Sequence, residues 1–416
     1  MQHDTPRVRW QERASIWLGI GINPASISTG GGIAMMVPPR HLAWVLPLGI
    51  SLLLAISIAQ GLMGQRRRAR LAQVAVTTFG RTGAMLLNLL MAIGLVGWSG
   101  FHGGVSGASL AELLHVPGWL GALLIITLLY LLNRWGINRW AALTWVTTGA
   151  ALALTIFALS TVDLAGAAFA MRAETAVGFP NNQALSASGV LLAIGTIIGY
   201  ATLFSLRTPD FTWDFADTRD VLKANLFLFL PLLFAMSVGA VLYHATGNWN
   251  IAEILAQNQS ATLGHLFLIV AVVSPLISGW YSGAFALSYL TPLRPNQSIL
   301  LICVLGFFLA ATRFDQQLLP FLGYLGAALG PALVLILLTQ WQRRQPPTTH
   351  AFLAWLAGAA LALLLQAQGF SLHLFAGSAL SVCTLAISHL YTKHRHPRRH
   401  QTHKERRPQK RPFSQG

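Results

Sequence analysis

Long stretches of this chain carry no Asp, Glu, Lys or Arg, among them residues 14–39, 41–65, 82–111, 140–162, 175–206, 224–252, 254–293 and 345–392. A helix needs about 20 such residues to cross the hydrocarbon core of a bilayer. The strands of a membrane barrel instead alternate in polarity over about 10 residues. Charged residues make up 10% of the sequence and hydrophobic ones 54%, where a soluble domain carries about 25% charged. So few charges cannot cover the surface of a soluble protein of 416 residues. The chain therefore reads as an all-α polytopic membrane protein. A soluble enzyme, a disulfide-stapled secreted domain and a disordered chain are excluded.

Hydropathy predicts twelve transmembrane helices, at about 16–37, 42–63, 83–110, 118–133, 141–162, 185–206, 224–245, 261–284, 297–312, 317–340, 351–368 and 371–391. An even number puts both termini on one side, and Lys and Arg favour the cytoplasmic side. With the N-terminus inside, 25 Lys and Arg fall in cytoplasmic segments; only Arg40, Arg172 and Arg313 fall outside. The expected layout is a cytoplasmic tail at 1–13 and a ten-helix core at 14–340, with halves at 14–162 and 185–340. Two further helices at 351–392 and a basic, disordered cytoplasmic tail at 393–416 complete it. The expected location is the cytoplasmic (inner) membrane.

The net charge of +16 does not imply a nucleic-acid partner. Nine Lys and Arg against Glu405 sit in the tail 393–416, where they suit anionic lipid. Cys303 and Cys383 lie inside apolar runs and read as packing residues, with no disulfide or metal site. The first apolar run lacks a small-residue cleavage site and is followed by many more spans. It reads as a span rather than a signal peptide.

Polar and helix-breaking residues inside apolar runs are the informative ones, because unsatisfied polar groups are costly in lipid. The first helix reads GIGINPASISTGGG over 19–32, and Asn23-Pro24 removes a backbone donor in mid-span. The sixth reads GTIIGYATLFS over 195–205. Interrupted helices at matching positions of two halves are the pattern of a five-plus-five inverted repeat enclosing a mid-membrane site. Small residues also serve close helix packing, which is the plainer reading of each stretch alone. In the third helix Trp98 and His102 are four apart and share a face. An indole can stack on a flat ring, and an imidazole can bond its edge. No acidic residue falls in mid-membrane by this assignment, and neither does a Lys or Arg. A proton relay through a buried carboxylate has no candidate, which leaves His102 as the best-placed proton-binding group.

Several motifs occur in one order: Ala25-Ser26 with Thr29-Gly30-Gly31, Phe79-Gly80-Arg81 with Gly83, and Gly97-Trp98-Ser99-Gly100. Gly199-Tyr200 through Thr208-Pro209-Asp210-Phe211, and Phe321-Leu322-Gly323 to Gly330-Pro331, follow. Over about residues 14–392 the chain resembles the nucleobase–cation symporter-1 family, in particular its purine–cytosine permease branch. The resemblance implies a broken-helix inverted-repeat fold that imports nucleobases and related rings with a sodium ion or proton. It implies that Trp98 stacks on the substrate and His102 contacts it. Tyr200, Ala201 and Thr202 would line a break in helix six, and Ala25, Ile27 and Ser278 would belong to a cation site. In helix eight, Ser278 keeps one hydroxyl of the family's pair while Gly279 replaces the other. Trp280, Tyr281 and Ser282 stand at its amide positions, which points to a ring with other edge groups, such as a hydroxymethylpyrimidine-like precursor.

The expected function is secondary active transport of a small heterocycle by cation-coupled alternating access, with no bond made or broken and no cofactor beyond a sodium ion or proton. The alternatives are a same-fold transporter of an amino acid or other organic solute and, less favoured, a membrane anchor or sensor using the basic tail.

Overall fold

In the computed structural model, residues 7–134, 137–163, 187–258, 260–342 and 346–395 are described. Predicted helix one is split into α1 (Ala14–Gly21) and α2 (Pro24–Ala34). Helices two to seven are α3 (Pro39–Arg67), α4 (Leu71–Leu114), α5 (Gly118–Asn133), α6 (Ile137–Ser160), α7 (Ala187–Thr212) and α8 (Thr218–Thr246). A short α9 (Ile251–Asn258) precedes helix eight, which is divided into α10 (Ala261–Ala271) and α11 (Val273–Leu290). The chain continues through α12 (Pro295–Ala311), α13 (Leu318–Trp341), α14 (Thr348–Ala367) and α15 (His373–Arg395).

Among the described residues, nine helices are long and apolar enough to cross a membrane. The count of twelve spans is reached only by adding the split first segment and two shorter apolar helices, α5 and α12. Side chains that face lipid confirm a multi-pass membrane protein. Met85, Leu89 and Ile93, four apart on α4, are 46%, 46% and 53% exposed, an apolar stripe that water would not tolerate in such repetition.

Packing follows a twofold pattern. The pair α1/α2 lies on α8, as α7 lies on α3; α1 meets α6, as α7 meets α13; α6 meets α10, as α13 meets α4. These contacts recur with the two halves exchanged, as inverted repeats require.

The 44 residues of α4 would run about 66 Å as a straight helix, about twice the hydrocarbon thickness. The element bends at Gly80, whose φ of 72° and ψ of −178° lie in a region essentially closed to residues with a Cβ. Residues 81–114 then form the span, and 71–79 form a separate arm.

At the basic end of the bundle, residues 8–13 of the expected N-terminal tail pack on the segment after α7. Val8 pairs with Phe215 as an isolated bridge, the Val8 amide donating to the Asp214 carbonyl at 3.1 Å. Arg13 is buried and grips Asp214 with two nitrogens at 2.9 and 2.6 Å while also donating to the Phe211 carbonyl. Arg70 lies over the rings of Trp213 and Phe285. At the other terminus α15 runs to Arg395, past the expected end of the last span; the remainder of the expected tail, 396–416, lies outside the described residues.

The expected break in helix six is also corrected. Through Gly195–Ser205, α7 is continuous. Its threonines bond back into their own helix, Thr196 to the Leu192 carbonyl and Thr202 to the Ile198 carbonyl at 2.9 and 2.7 Å. The stretch has no proline to remove a donor. Its glycines serve packing instead, Gly199 lying against Gly326 of α13. The second discontinuity falls in helix eight, at Val272, three residues before Pro275 removes the donor for the Ala271 carbonyl.

Replacing Gly80 by Ala strains the bend, and the expected cost is about 1–3 kcal/mol. Thermal unfolding of the purified variant should show a lowered midpoint; an unchanged midpoint means that the bend is not required.

Candidate functional site

The break in helix one is held by a single side chain. Asn23 takes an extended backbone (φ −151°, ψ 165°) and its Oδ1 accepts from the amides of Ala25 and Ser26, capping α2 at 2.9 and 3.2 Å. Its Nδ2 donates to the Ile20 carbonyl at 2.7 Å, closing the end of α1. Pro24 stands at the first position of α2, where its missing donor costs nothing. Nδ2 also reaches Ser26 Oγ at 2.9 Å and Tyr200 OH at 3.3 Å, and Ser26 Oγ and Tyr200 OH lie 2.7 Å apart. All three residues are fully buried. The break is thereby tied to α7.

Tyr200 belongs to a stripe on α7. Tyr200, Phe204, Arg207 and Phe211 follow one another at four, three and four residues, one face of a helix. Against its upper half stands Trp98 of α4, its ring 5.5 Å from those of both Tyr200 and Phe204. His102 lies stacked over Trp98 at 5.3 Å and 24°, and Phe101 stands edge-on to both. Phe321 of α13 completes the wall at 6.5 Å. Its ring rests where a Cβ on Gly97 would collide with it, so Gly97 is what admits it. Trp98 Nε1 and both ring nitrogens of His102 are buried without a hydrogen-bond partner among the described residues. An indole offers one donor, and a neutral imidazole one donor and one acceptor. Leaving such groups unpaired costs about 1–3 kcal/mol each. A small polar ring inserted here could stack on the indole and bond the imidazole at its edge.

A cavity of about 750 Å³ opens toward the end of the bundle opposite the Arg13–Asp214 pair. Phe101, Val105 and Ser109 of α4 form one side, with Pro24 and Ile27 of α2 and the segment 248–253 facing them. Trp98 and His102 do not line it, but Phe101 does. Phe101 therefore separates the open space from the aromatic cluster.

The other sequence candidates scatter. Thr202 lies about 200° around α7 from Tyr200 and bonds its own helix; the side chain of Ala201 lies outside the described residues. Trp280 is buried and donates to Ser99 Oγ at 3.0 Å, so it ties α11 to α4 rather than facing the cluster. Tyr281 packs with Phe211 and Phe285 at the basic end. Ser282 is buried with its hydroxyl unpaired among the described residues. Of the cation candidates, the Ala25 carbonyl accepts from Thr29 Oγ1 at 2.7 Å, the Ile27 carbonyl lies against Gly239 of α8, and Ser278 bonds Arg207.

Sequence reading missed Phe101, Phe204, Phe321 and Arg207. The first three are ordinary apolar residues by type; only their spacing from Trp98 and Tyr200 marks Phe101 and Phe204. Arg207 was assigned to a loop because helix six was ended at residue 206. It is in fact 2% exposed and inside α7, which corrects the expectation that no Lys or Arg lies within the bundle.

No protein-family model matches the chain, and no curated protein matches it. Solved structures do. Mhp1, a nucleobase-cation-symport-1 family transporter in a closed conformation with bromovinylhydantoin bound, matches with a TM-score of 0.73 and 16% identity, over 95% of this chain and 97% of that one. The inward-facing conformation of Mhp1 matches at 0.64 with 16% identity, over 94% of each chain. A Na+-coupled sialic acid symporter in a substrate-bound outward-open state matches at 0.66 with 14% identity, over 92% of this chain and 90% of that one. The fold is thus that of the broken-helix transporters, and the chain lies nearer the closed Mhp1 conformation than the inward-facing one.

Tyr200→Phe removes the hydroxyl shared by Asn23 and Ser26, with an expected loss of about 1–3 kcal/mol. A double-mutant cycle with Ser26→Ala, read by thermal unfolding, should show the two changes coupled; strict additivity would mean that the break does not depend on α7.

Proposed function

We propose that the chain is a secondary active transporter of a small, flat heterocycle, a nucleobase or a related ring such as cytosine, a purine or a hydroxymethylpyrimidine-like compound. The observation that carries this reading is the buried Trp98–His102 pair, whose ring nitrogens are unpartnered and which lies behind Phe101 at the foot of a 750 Å³ cavity. The fold of Mhp1 supports it. The ring enters from the cavity past Phe101 and takes the face of Trp98 that His102 covers, and His102 swings to bond the ring's edge. His102 then replaces an unpaired ring nitrogen with a hydrogen bond, while Trp98 supplies the stacking surface.

Alternating access requires the basic end to open in turn. The contacts to be released there are the Arg13–Asp214 pair and the stacking of Arg70 on Trp213 and Phe285. Positive-inside topology makes this the cytoplasmic side, so that transport is import across the inner membrane, coupled to a sodium ion or proton. No bond is made or broken in this cycle.

The rival reading, a same-fold carrier of an amino acid or other carboxylate, gains from the buried Arg207. Its guanidinium is turned toward α11, however, with a nitrogen 3.4 Å from Ser278 Oγ and no bond to Tyr200 or His102. That orientation favours the neutral ring.

A thermal-shift screen of the purified protein against nucleobases, thiamine precursors and amino acids separates the two. The expected result is stabilisation by a heterocycle that is lost, by about tenfold or more in affinity, in Trp98→Ala and retained in part in Trp98→Phe. Stabilisation by amino acids alone, or unchanged ring affinity in folded Trp98→Ala, contradicts the reading.

A further inference from the structure

The least expected group in the bundle is Arg207. It is 2% exposed, sits seven residues below Tyr200 on the same face of α7, and lies between the rings of Phe204 and Phe211 at 4.9 and 5.6 Å. The ion pairs among the described residues, Arg13–Asp214 and Arg313–Asp315, do not involve it. A guanidinium stays charged in proteins, so α7 carries a fixed positive charge in the interior, with the buried Asp210, which accepts from the Leu71 amide at 3.0 Å, three residues further along the same helix.

Its two terminal nitrogens meet two adjacent residues of α11. One donates to Ser278 Oγ at 3.4 Å. The other lies 4.0 Å from the point where a side chain on Gly279 would begin. A Cβ at 279 would sit in ordinary contact with the guanidinium, so Arg207 packs directly on this turn of α11. The backbones of α7 and α11 make little contact, and side chains link the two helices, Arg207 to Ser278 and Phe211 to Tyr281.

We propose that Arg207 is a tethered cation, standing at Ser278 and Gly279 where a mobile metal cation would otherwise bind, and that the protein works without sodium at this position. The proposal rests on the transport reading and sharpens it, since it leaves a proton or an exchanged solute as the coupling partner. Three features support it. Ser278 Oγ, the hydroxyl that a sodium ion would need, already accepts from the guanidinium. The Ala25 carbonyl already accepts from Thr29 Oγ1, and the Ile27 carbonyl lies against Gly239. A second positive charge about 4 Å from the guanidinium would be bound on the order of a thousandfold more weakly, at an effective dielectric constant of about 20. A bound sodium ion bridges helices only while it is present; Arg207 bridges them permanently, so sodium gradients exert no force through it.

The test is binding of radiolabelled sodium to the purified protein, displaced by unlabelled sodium or by choline. Wild type should show no saturable binding, and Arg207→Lys, which keeps the charge, should show none. The double variant Arg207→Ala/Gly279→Ser should gain saturable binding that unlabelled sodium displaces and choline does not. Saturable binding by wild type that Ser278→Ala abolishes overturns the proposal. So does a monodisperse double variant that binds no sodium. If the double variant does not fold, the wild-type and Arg207→Lys measurements decide. The heterocycle screen is run in parallel with and without sodium. Failure of any ring to bind in either condition strikes the transport reading, whereas ring binding that requires sodium strikes the tethered cation alone.

Discussion

A transmembrane helix can be interrupted only if something replaces the backbone hydrogen bonds that the interruption frees. Here that task falls to Asn23. Its amide caps α2 with one end and closes α1 with the other, spanning the gap from the Ile20 carbonyl to the Ala25 and Ser26 amides. Without it, donors and acceptors at the centre of the bundle would face one another unpaired. Tyr200 and Ser26 extend the same network to α7. The position of Tyr200 in turn fixes the stripe of Phe204, Arg207 and Phe211, and with it the back wall of the aromatic cluster around Trp98. Site geometry and helix break are therefore one hydrogen-bonded unit.

The membrane class and the break in helix one could be read from residues because each rests on a local cause. Uncharged runs have no alternative to lipid, and Asn-Pro in mid-span removes a donor while supplying a cap. The break expected in helix six rested on glycines and hydroxyls alone. Those residues have two uses, and tertiary contacts decide between them. Gly199 serves the approach of Gly326, and Thr196 and Thr202 satisfy themselves within α7. Trp98 and His102 could be singled out because a polar ring in an apolar run is uncommon. Their partners Phe204 and Phe321 could not, since a phenylalanine in a membrane helix carries no signal until the facing helix is known. Arg207 was missed through a boundary error of a few residues, which moved a charge from the interior to a loop.

Two layers of charge and aromatic packing hold the basic end shut. The outer layer joins the N-terminal segment to the segment after α7 through Arg13 and Asp214, with Arg70 stacked beside it. The inner layer is Arg207 against Ser278. The opposite end keeps a cavity down to Phe101. Such an arrangement fits the closer match to a closed transporter conformation than to an inward-facing one. In the proposed transport cycle the contacts to be remade are these rings and ion pairs, rather than the Asn23 network, which cannot be broken without exposing backbone.

The account stands on a flat ring binding against Trp98. The most direct measurement is an experimental structure of the protein with a stabilising heterocycle bound. The ring should lie parallel to the Trp98 indole at about 3.5–4 Å, with His102 turned away from that face and bonded to the ring's edge. Density for the ring only in the cavity beside Asn248–Glu253, with His102 still stacked on Trp98, would contradict it.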